Sequence, residues 1–389
     1  MTEWKEYKFS DFVEINPSVK IPKGIPVSFV EMKDLDSSVR YCESSQKKEL
    51  AGGSRFIDGD TLFARITPCM ENGKICQVRN LENSIGFGST EFHILRGKEG
   101  VSDSEFVYYL SRWDEVRDHA EHNMEGSSGR QRVPKQAFDN LYLSLPPLDE
   151  QRRIASILSS LDDKIDLLHR ENATLEQMAE TLFRQWFVVE AKEEWEEGKL
   201  TDYIKLIGGG TPKTTEESYW NGNVCWLSGG DIANNHKGFV SDSEKHISEI
   251  GLNNSAAKLL PENALVVSAR GTVGKYCLLS KPMAFSQSNY GILPMFEDCY
   301  FFTYLLVAYH IDELQSAAYG SVFDTITTKT FEGVSVLLPK ETGYIVEFEK
   351  TIELYFSKMK YNNNQIQTLI QTRDGLLPRL MNNEIKIKK

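Results

Sequence analysis

Two stretches of the chain concentrate side chains able to read a base edge or hold a phosphate. GSSGRQRVPK, from Gly126, supplies Arg130, Gln131, Arg132 and Lys135 with no acid through Phe138. Lys258 to Lys281 supplies Lys258, Arg270, Lys275 and Lys281 against Glu262 alone. Arginine can bond guanine and glutamine adenine through two hydrogen bonds, and small neighbouring residues let the backbone come close. Taken alone, the pattern reads as a solvated loop. Other chemistry is harder to build. Base methylation needs a Gly-rich cofactor turn and, for amino methylation, an Asn/Asp-Pro-Pro-aromatic signature, yet the sole Pro-Pro lies in LPPLDEQ, at Pro146 and Pro147. The run Gly208 to Thr214 lacks the Gly-Lys-Ser/Thr ending of a phosphate loop, and Pro212 removes an amide such a cradle needs, so a turn is expected. His119 and His122 have no companions for a metal set, and Ser243-Glu244-Lys245 is a triplet any charged chain contains. No catalytic residue and no metal site are assigned.

The elements that must carry these residues are written twice. WKEYKFSDFVEI from Trp4 matches WEEGKLTDYIKL from Trp195, and FVEMKDL (29–35) matches WLSGGDI (226–232), with Asp34 opposite Asp231. Gly73-Lys74 pairs with Gly274-Lys275, TEFHIL (90–95) with SNYGIL (288–293), and GSSGRQRVPK with GSVFDTITTK from Gly320. Each repeat contains short β-type runs such as Thr61 to Ile66 and Ala264 to Ala269, punctuated by Gly, Pro, Asn and Asp. One helix is expected to interrupt each set, at about Ser104 to His122 and Tyr300 to Ala318, giving an α+β domain.

A long heptad follows each repeat. Apolar residues recur in alternating steps of four and three from Ile154 to Trp186, with Asn172 the polar member, and again from Phe348 to Leu380, with Asn362 and Arg373 polar. Sustained periodicity of 3.5 residues specifies a coiled-coil stripe. A single chain that visits domain, helix, domain and helix returns its second helix antiparallel to the first, so the expected fold is α+β: two such domains joined by two long antiparallel coiled-coil helices in a pseudo-twofold arrangement. Under that symmetry Asn172 and Asn362 meet near the centre as a register-fixing pair. Pro378 is expected to kink or end the second helix, leaving a frayed KIKK tail.

The 389 residues carry 56 acidic against 44 basic side chains, a net −12, which excludes a uniformly basic nucleic-acid coat and an anionic-membrane adsorber. Binding to DNA must then use local patches. Six cysteines (42, 69, 76, 225, 277, 299) without a C-x-x-C pair read as reduced intracellular thiols. No apolar run spans a bilayer, so a cytoplasmic protein is expected. Two unequal domains on a rigid spacer suit a ligand with two distinct features at a fixed distance, such as a non-palindromic bipartite DNA site.

LPPLDEQRRIASIL with the helix ending AETLFRQWFV, IGGGTPKTTEESYWNGNVCWLSGGDI, ARGTVGKYC and RDGLLPRLMNNEI together resemble the specificity subunit of type I restriction–modification systems. ARITPCMENGKI and GFGSTEFHIL are similar to the same family's target-recognition domains, and the likeness runs over essentially the whole chain. The resemblance implies two target-recognition domains, at 1–145 and 191–338, each reading one half of a split site in double-stranded DNA. It implies helical spacers at 146–190 and 339–389 that dock two methyltransferase subunits, to which restriction subunits are added. The chain itself would be non-catalytic and cofactor-free, with S-adenosylmethionine and ATP on the partners. DNA contacts would fall on Arg65, Lys74, Arg130, Gln131, Arg132 and Lys135 in the first half, and on Arg270, Lys275, Gln287, Ser288, Asn289 and Lys329 in the second. GSVFDTITTK has no arginine where the first half has two, which puts the equivalence of the two loops in doubt. The rival readings are the recognition region of a standalone modification enzyme and a coiled-coil scaffold that binds no DNA.

Overall fold

The computed structural model describes residues 4–22, 24–296, 298–319, 324–339 and 341–387. Residues 320–323, which open the second-repeat loop GSVFDTITTK, and the last two lysines of the KIKK tail lie outside the described residues. The chain divides into two compact units, Met1–Leu167 with Ile366–Lys389, and Leu168–Gln365.

In the first unit a five-stranded sheet has the order Val13–Ile15, Phe92–Gly97, Thr61–Ala64, Ile75–Val78, Tyr41–Cys42. A four-stranded sheet has the order Gln46–Lys48, Val27–Val30, Ile85–Gly88, Ser54–Ile57, and Lys5–Lys8 pairs with Tyr142–Leu145. The second unit repeats this strand for strand. Its five-stranded sheet runs Ile204–Gly208, Asn289–Pro294, Leu265–Ser268, Tyr276–Leu279, Phe239–Val240. Its four-stranded sheet runs Lys245–Ile247, Trp220–Leu227, Met283–Phe285, Leu259–Leu260, and Glu196–Lys199 pairs with Ser335–Leu338. Even the one parallel pair in each sheet is conserved between the repeats.

The matched aspartates show why the sequence repeat survives. The Asp34 carboxylate accepts the Glu31 amide at 2.7 Å, and Asp231 accepts the Ser228 amide at 2.8 Å, each closing the first turn of a short helix that leaves the four-stranded sheet. Gly73 and Gly274 both hold positive φ, at 66° and 77°, in the tight return to the next strand, where a side chain would be strained. The run at Gly208 has its own reason. A Cβ on Gly209 would lie 2.1 Å from the Ser286 carbonyl, so these glycines serve close backbone approach.

The helices and the strand register of the sheet domains each depart from expectation. Each single expected helix is two, Ser104–Arg112 with Asp114–His122 and Tyr300–Tyr309 with Ile311–Tyr319. Trp113 breaks the first because it is extended (φ −66°, ψ 136°). His310 caps the second at φ −98°, ψ 7°. The strand pairing also slips the TEFHIL match by one. Ala64 faces Phe92 while Ser268 faces Asn289, and Ala64 and Ser268 each bond the lysine of a Gly-Lys turn, so Phe92 and not Glu91 corresponds to Asn289.

Helix α1 covers Leu148–Arg184 and continues as a π turn through Gln185–Val189, and helix α2 covers Thr342–Met381. Pro378 sits inside α2 without ending it, removing only its own amide from the ladder while the helix runs on to Met381. Within the first unit, Ile154 and Leu158 of α1 share a core with Leu377 and Leu380 of α2, and Asp162 meets Arg373. Within the second, Asn172 meets Asn362 and Phe187 packs on Phe348. In each unit the contacts step down one helix as they step up the other, an antiparallel pairing. The buried stripe is wider than the heptad, because Asp162, Glu176, Phe183 and Phe187 also turn inward against the sheet domains.

Candidate nucleic-acid interface

The basic residues of the first repeat hang on a junction of three loops. The Arg65 amide bonds the Glu91 carbonyl at 2.9 Å and the Val133 amide bonds the Arg65 carbonyl at 2.8 Å. Thr67 and Gln131 add two more bonds, from Thr67 N–H to Gln131 O at 3.0 Å and from Gln131 N–H to Thr67 Oγ1 at 3.1 Å. These pairings bring Arg65, Gln131 and Arg132 together, with Arg130 and Lys135 exposed on the flanks. The first loop is anchored from below by His93, which is 1 % exposed. Its Nε2 donates to the Val133 carbonyl at 2.8 Å and its Nδ1 accepts from Asn16 at 3.3 Å, a neutral tautomer assigned from its partners. Burial pushes the His93 pKa down to about 4, against the pull of that carbonyl.

Glu91 is the residue that sequence reading missed. Its carboxylate takes the Arg132 guanidinium in a fork, at 2.7 Å from Nη2 and 2.9 Å from Nε. The pair lowers the Glu91 pKa and raises that of Arg132, chiefly through these hydrogen bonds. The acid-free window around Arg132 is therefore neutralised from the turn before Phe92–Gly97, some forty positions away in sequence. No local signal could reveal it. Arg132 remains partly exposed, so its fork is held in a fixed plane at the surface.

The second repeat builds the same junction. The Ala269 amide bonds the Ser288 carbonyl at 3.0 Å and the Ile326 amide bonds the Ala269 carbonyl at 3.1 Å. Ala269 thus stands for Arg65, Ser288 for Glu91, Ile326 for Val133 and Thr325 for Arg132. The loop match shifts by one here too: Pro134 and Thr327 both precede the short helices Lys135–Asn140 and Thr328–Glu332, so Lys135 corresponds to Thr328 and Lys329 to Gln136. Arg270, Gln287 and Lys329 are exposed, and Lys275 and Ser288 are half-buried beside them in the chain.

Two candidates face inward. Lys74 spends its ammonium on the Met32 carbonyl at 2.9 Å, tying its turn to the short helix Met32–Asp34. Asn289 is 2 % exposed and donates to Ser286 Oγ at 2.8 Å, which closes the turn that presents Gln287 and Ser288. The remaining sequence motifs are structural. His119 and His122 bond the backbone carbonyls of Ala137 and Asp118. Among the described residues no helix is long and apolar enough to cross a membrane.

The pair of junctions fits what comparison with known proteins finds. The family described as the type I restriction modification DNA specificity domain matches residues 1–177 and 192–373. The HindI specificity subunit of Haemophilus influenzae is 27% identical, over 99% of this chain and 100% of its own length. The MjaIX specificity subunit of Methanocaldococcus jannaschii is 23% identical over 75% of this chain and 71% of its own. Among solved structures, the type I S subunit from M. genitalium aligns over 97% of this chain and 96% of its own at a TM-score of 0.53 and 14% identity, a likeness of fold. The chain belongs to the DNA specificity family of type I restriction–modification systems.

Proposed function

We propose that the chain is the non-catalytic reader of its assembly, in which each sheet-rich repeat contacts one half of a split, asymmetric site in double-stranded DNA. The long helices set the unread spacer and dock two methyltransferase subunits, to which restriction subunits add in the cytoplasm. S-adenosylmethionine and ATP bind those partners. One observation carries the reading: the same three-loop junction is built twice, with Arg65, Glu91 and Arg132 in one copy and Ala269, Ser288 and Thr325 in the other. Identical scaffolds with unlike tips suit two unlike half-sites. The contact set in this reading is Arg65, Arg130, Gln131, Arg132 and Lys135, then Arg270, Lys275, Gln287, Ser288 and Lys329. Lys74 and Asn289 act as struts behind it.

The test is selection from a randomised duplex library by the chain, with and without its methyltransferase subunit. Recovery of two different half-sites at constant spacing is expected. A palindromic or contiguous site, or binding of the methyl donor by the isolated chain, overturns the reading.

A further inference from the structure

Among the described residues, one trio of metal-type donors converges, and it lies in the second repeat. Cys225 and His246 are direct cross-strand partners in the antiparallel pairing of Trp220–Leu227 with Lys245–Ile247, so their side chains share one face of the sheet. Asp242, in the connection leading into Lys245–Ile247, reaches the same point. Cys225 Sγ lies 3.2 Å from Asp242 Oδ1 and 3.5 Å from His246 Nε2, and those two atoms are 2.9 Å apart. Ser243 fixes the connection, since its Oγ accepts the Trp226 amide at 3.0 Å and donates to the Lys245 carbonyl at 2.7 Å.

A nucleophilic relay does not fit this trio. Such a relay uses both imidazole nitrogens, one toward the thiol and the other toward the carboxylate. Here a single nitrogen, Nε2, faces both. Cys225 is also only 2 % exposed, out of reach of a bulky electrophile. A common central ion fits better. Tetrahedral zinc, with bonds of about 2.3 Å to sulfur and about 2.0–2.2 Å to nitrogen and oxygen, holds its donors about 3.4–3.6 Å from one another. The observed triangle departs from this by at most about 0.7 Å, on its shortest side, a contraction of the kind expected when hydrogen bonds stand in for the ion. Thiolate with imidazole selects zinc over magnesium or calcium.

We propose that Cys225, Asp242 and His246 bind one zinc ion, with water in the fourth position, pinning the 241–244 connection to the four-stranded sheet. Binding releases the Cys225 proton to solvent, so the thiolate and the Asp242 carboxylate balance the two positive charges. Lys281, whose ammonium lies 3.9 Å from Asp242 and is half-exposed, swings away as the ion replaces it. Among the described residues the first repeat has no such set. Its equivalent cross-strand pair is Ser28 and Lys47, both engaged with Glu82.

The experiment uses the full chain, stripped of metal and titrated with zinc and with cobalt. One equivalent of zinc is expected, and cobalt should show a thiolate charge-transfer band in the near ultraviolet. Cys225→Ser removes the band, and Asp242→Asn and His246→Gln each weaken zinc by at least the ~10–100-fold that losing even an outer partner costs. Both of those side chains are partly exposed, so their variants keep the fold, which metal-free melting curves check. Failure to bind one equivalent, a band that survives Cys225→Ser, or zinc affinity unchanged in both of the other variants overturns the site.

Discussion

The two repeats agree where the backbone is served and differ where side chains meet each other. Strand order, parallel pairs, the aspartate-closed turns and the Gly-Lys returns recur. Yet the places where the sheet domains grip the long helices have diverged. In the first unit Asp162 of α1 and Arg373 of α2 form a bond of 2.6 Å, 2% and 4% exposed, and Tyr109 donates to the same carboxylate at 2.6 Å. By the heptad match the second unit has Phe356 and Ala179 at these positions, both in its apolar core. Its buried tyrosine, Tyr304, finds Glu176 instead. A polar and an apolar solution therefore support one geometry, so the fold does not need the ion pair, although the ion pair needs both partners. The largest expected effect follows. Arg373→Ala strands a buried carboxylate and should cost about 3–5 kcal/mol in the first unit. The double change Asp162→Phe with Arg373→Ala copies the second unit and should recover a good part of that loss, the remainder being the Tyr109 hydroxyl. Urea denaturation of the three variants measures this, and a double variant no more stable than the single one would break the equivalence.

The same divergence gives the two units opposite responses to acid. His93 in the first unit is held neutral, with a pKa of about 4 against an ordinary 6.5. Its contribution is complete above pH 6.5 and is lost as the pH falls toward 4, when the unfolded chain takes up the proton first, a loss of about 3 kcal/mol. Glu176 in the second unit is pushed up to about 7 by burial, against the Tyr304 hydrogen bond and Lys237 and with Glu180 adding to the rise. A raised carboxyl works the other way: its contribution is complete below about 4.5 and is lost as the pH rises through 7. Between pH 7 and 5 the first unit should weaken while the second strengthens. Hydrogen exchange of strands Thr61–Ala64 and Leu265–Ser268, corrected for intrinsic rates, reads the two separately. His93→Gln should flatten the first response; in the second, burial also pushes Glu349 up to about 7, so Glu176→Gln should reduce the response and the double change with Glu349→Gln should flatten it.

At the loop tips the comparison concerns specificity. Arg132→Ala should reduce discrimination at one half-site by ~1–3 kcal/mol and leave the other unchanged. Glu91→Gln, which frees the fork without removing it, should raise affinity for all sequences while relaxing that discrimination, because the arginine loses its fixed plane. Thr325→Arg probes the equivalent tip. With Ser288 in place of Glu91, the new arginine lacks the carboxylate fork that holds Arg132, so it should add affinity without adding selectivity. Binding to single-base variants of the selected site measures all three.

Much of this architecture was legible in the sequence because duplication doubled each weak signal. Asp34 and Asp231 point to each other across the repeats, and so do the Gly-Lys turns. The heptads exposed the long helices because a single face repeats over many turns. What stayed hidden was set by contacts distant in sequence. Glu91 shows nothing of its hold on Arg132, and Cys225, Asp242 and His246 share no motif spacing. The one-residue slips at TEFHIL and at the Arg132 loop have a plain cause: residue types look alike in one frame while hydrogen-bond register pairs the strands in another, and Phe92 aligns with Asn289 only once the strands are paired. The split of each expected helix was hidden for a related reason, since Trp113 is apolar and helix-compatible and it is packing that leaves it extended.

The smallest expected effect lies at the seam of the second unit. Asn362 is fully buried, and its amide donates to Asn172 at 2.9 Å and to Glu171 at 3.0 Å, while its own carbonyl oxygen has no partner. Lys358 pairs with Glu171 at 3.5 Å beside it. An incompletely satisfied buried amide lowers stability, so its value must lie in register: sliding one helix by a turn would set Asn362 opposite Leu168 or Leu175 in the seam and cost it the Asn172 acceptor. Replacing both Asn172 and Asn362 by leucine should then raise the melting temperature slightly, by about 1 kcal/mol in stability, since the buried Asn362 amide and its half-buried partner are removed together. The same change should loosen the register, seen as heterogeneous cross-linking between cysteine pairs placed along α1 and α2. The single variant Asn172→Leu should do neither, destabilising by about 1–2 kcal/mol because it removes an acceptor and keeps the buried donor. If the double variant is both more stable and cross-links at one register only, the apolar heptad alone sets the alignment and the asparagines have no part in it.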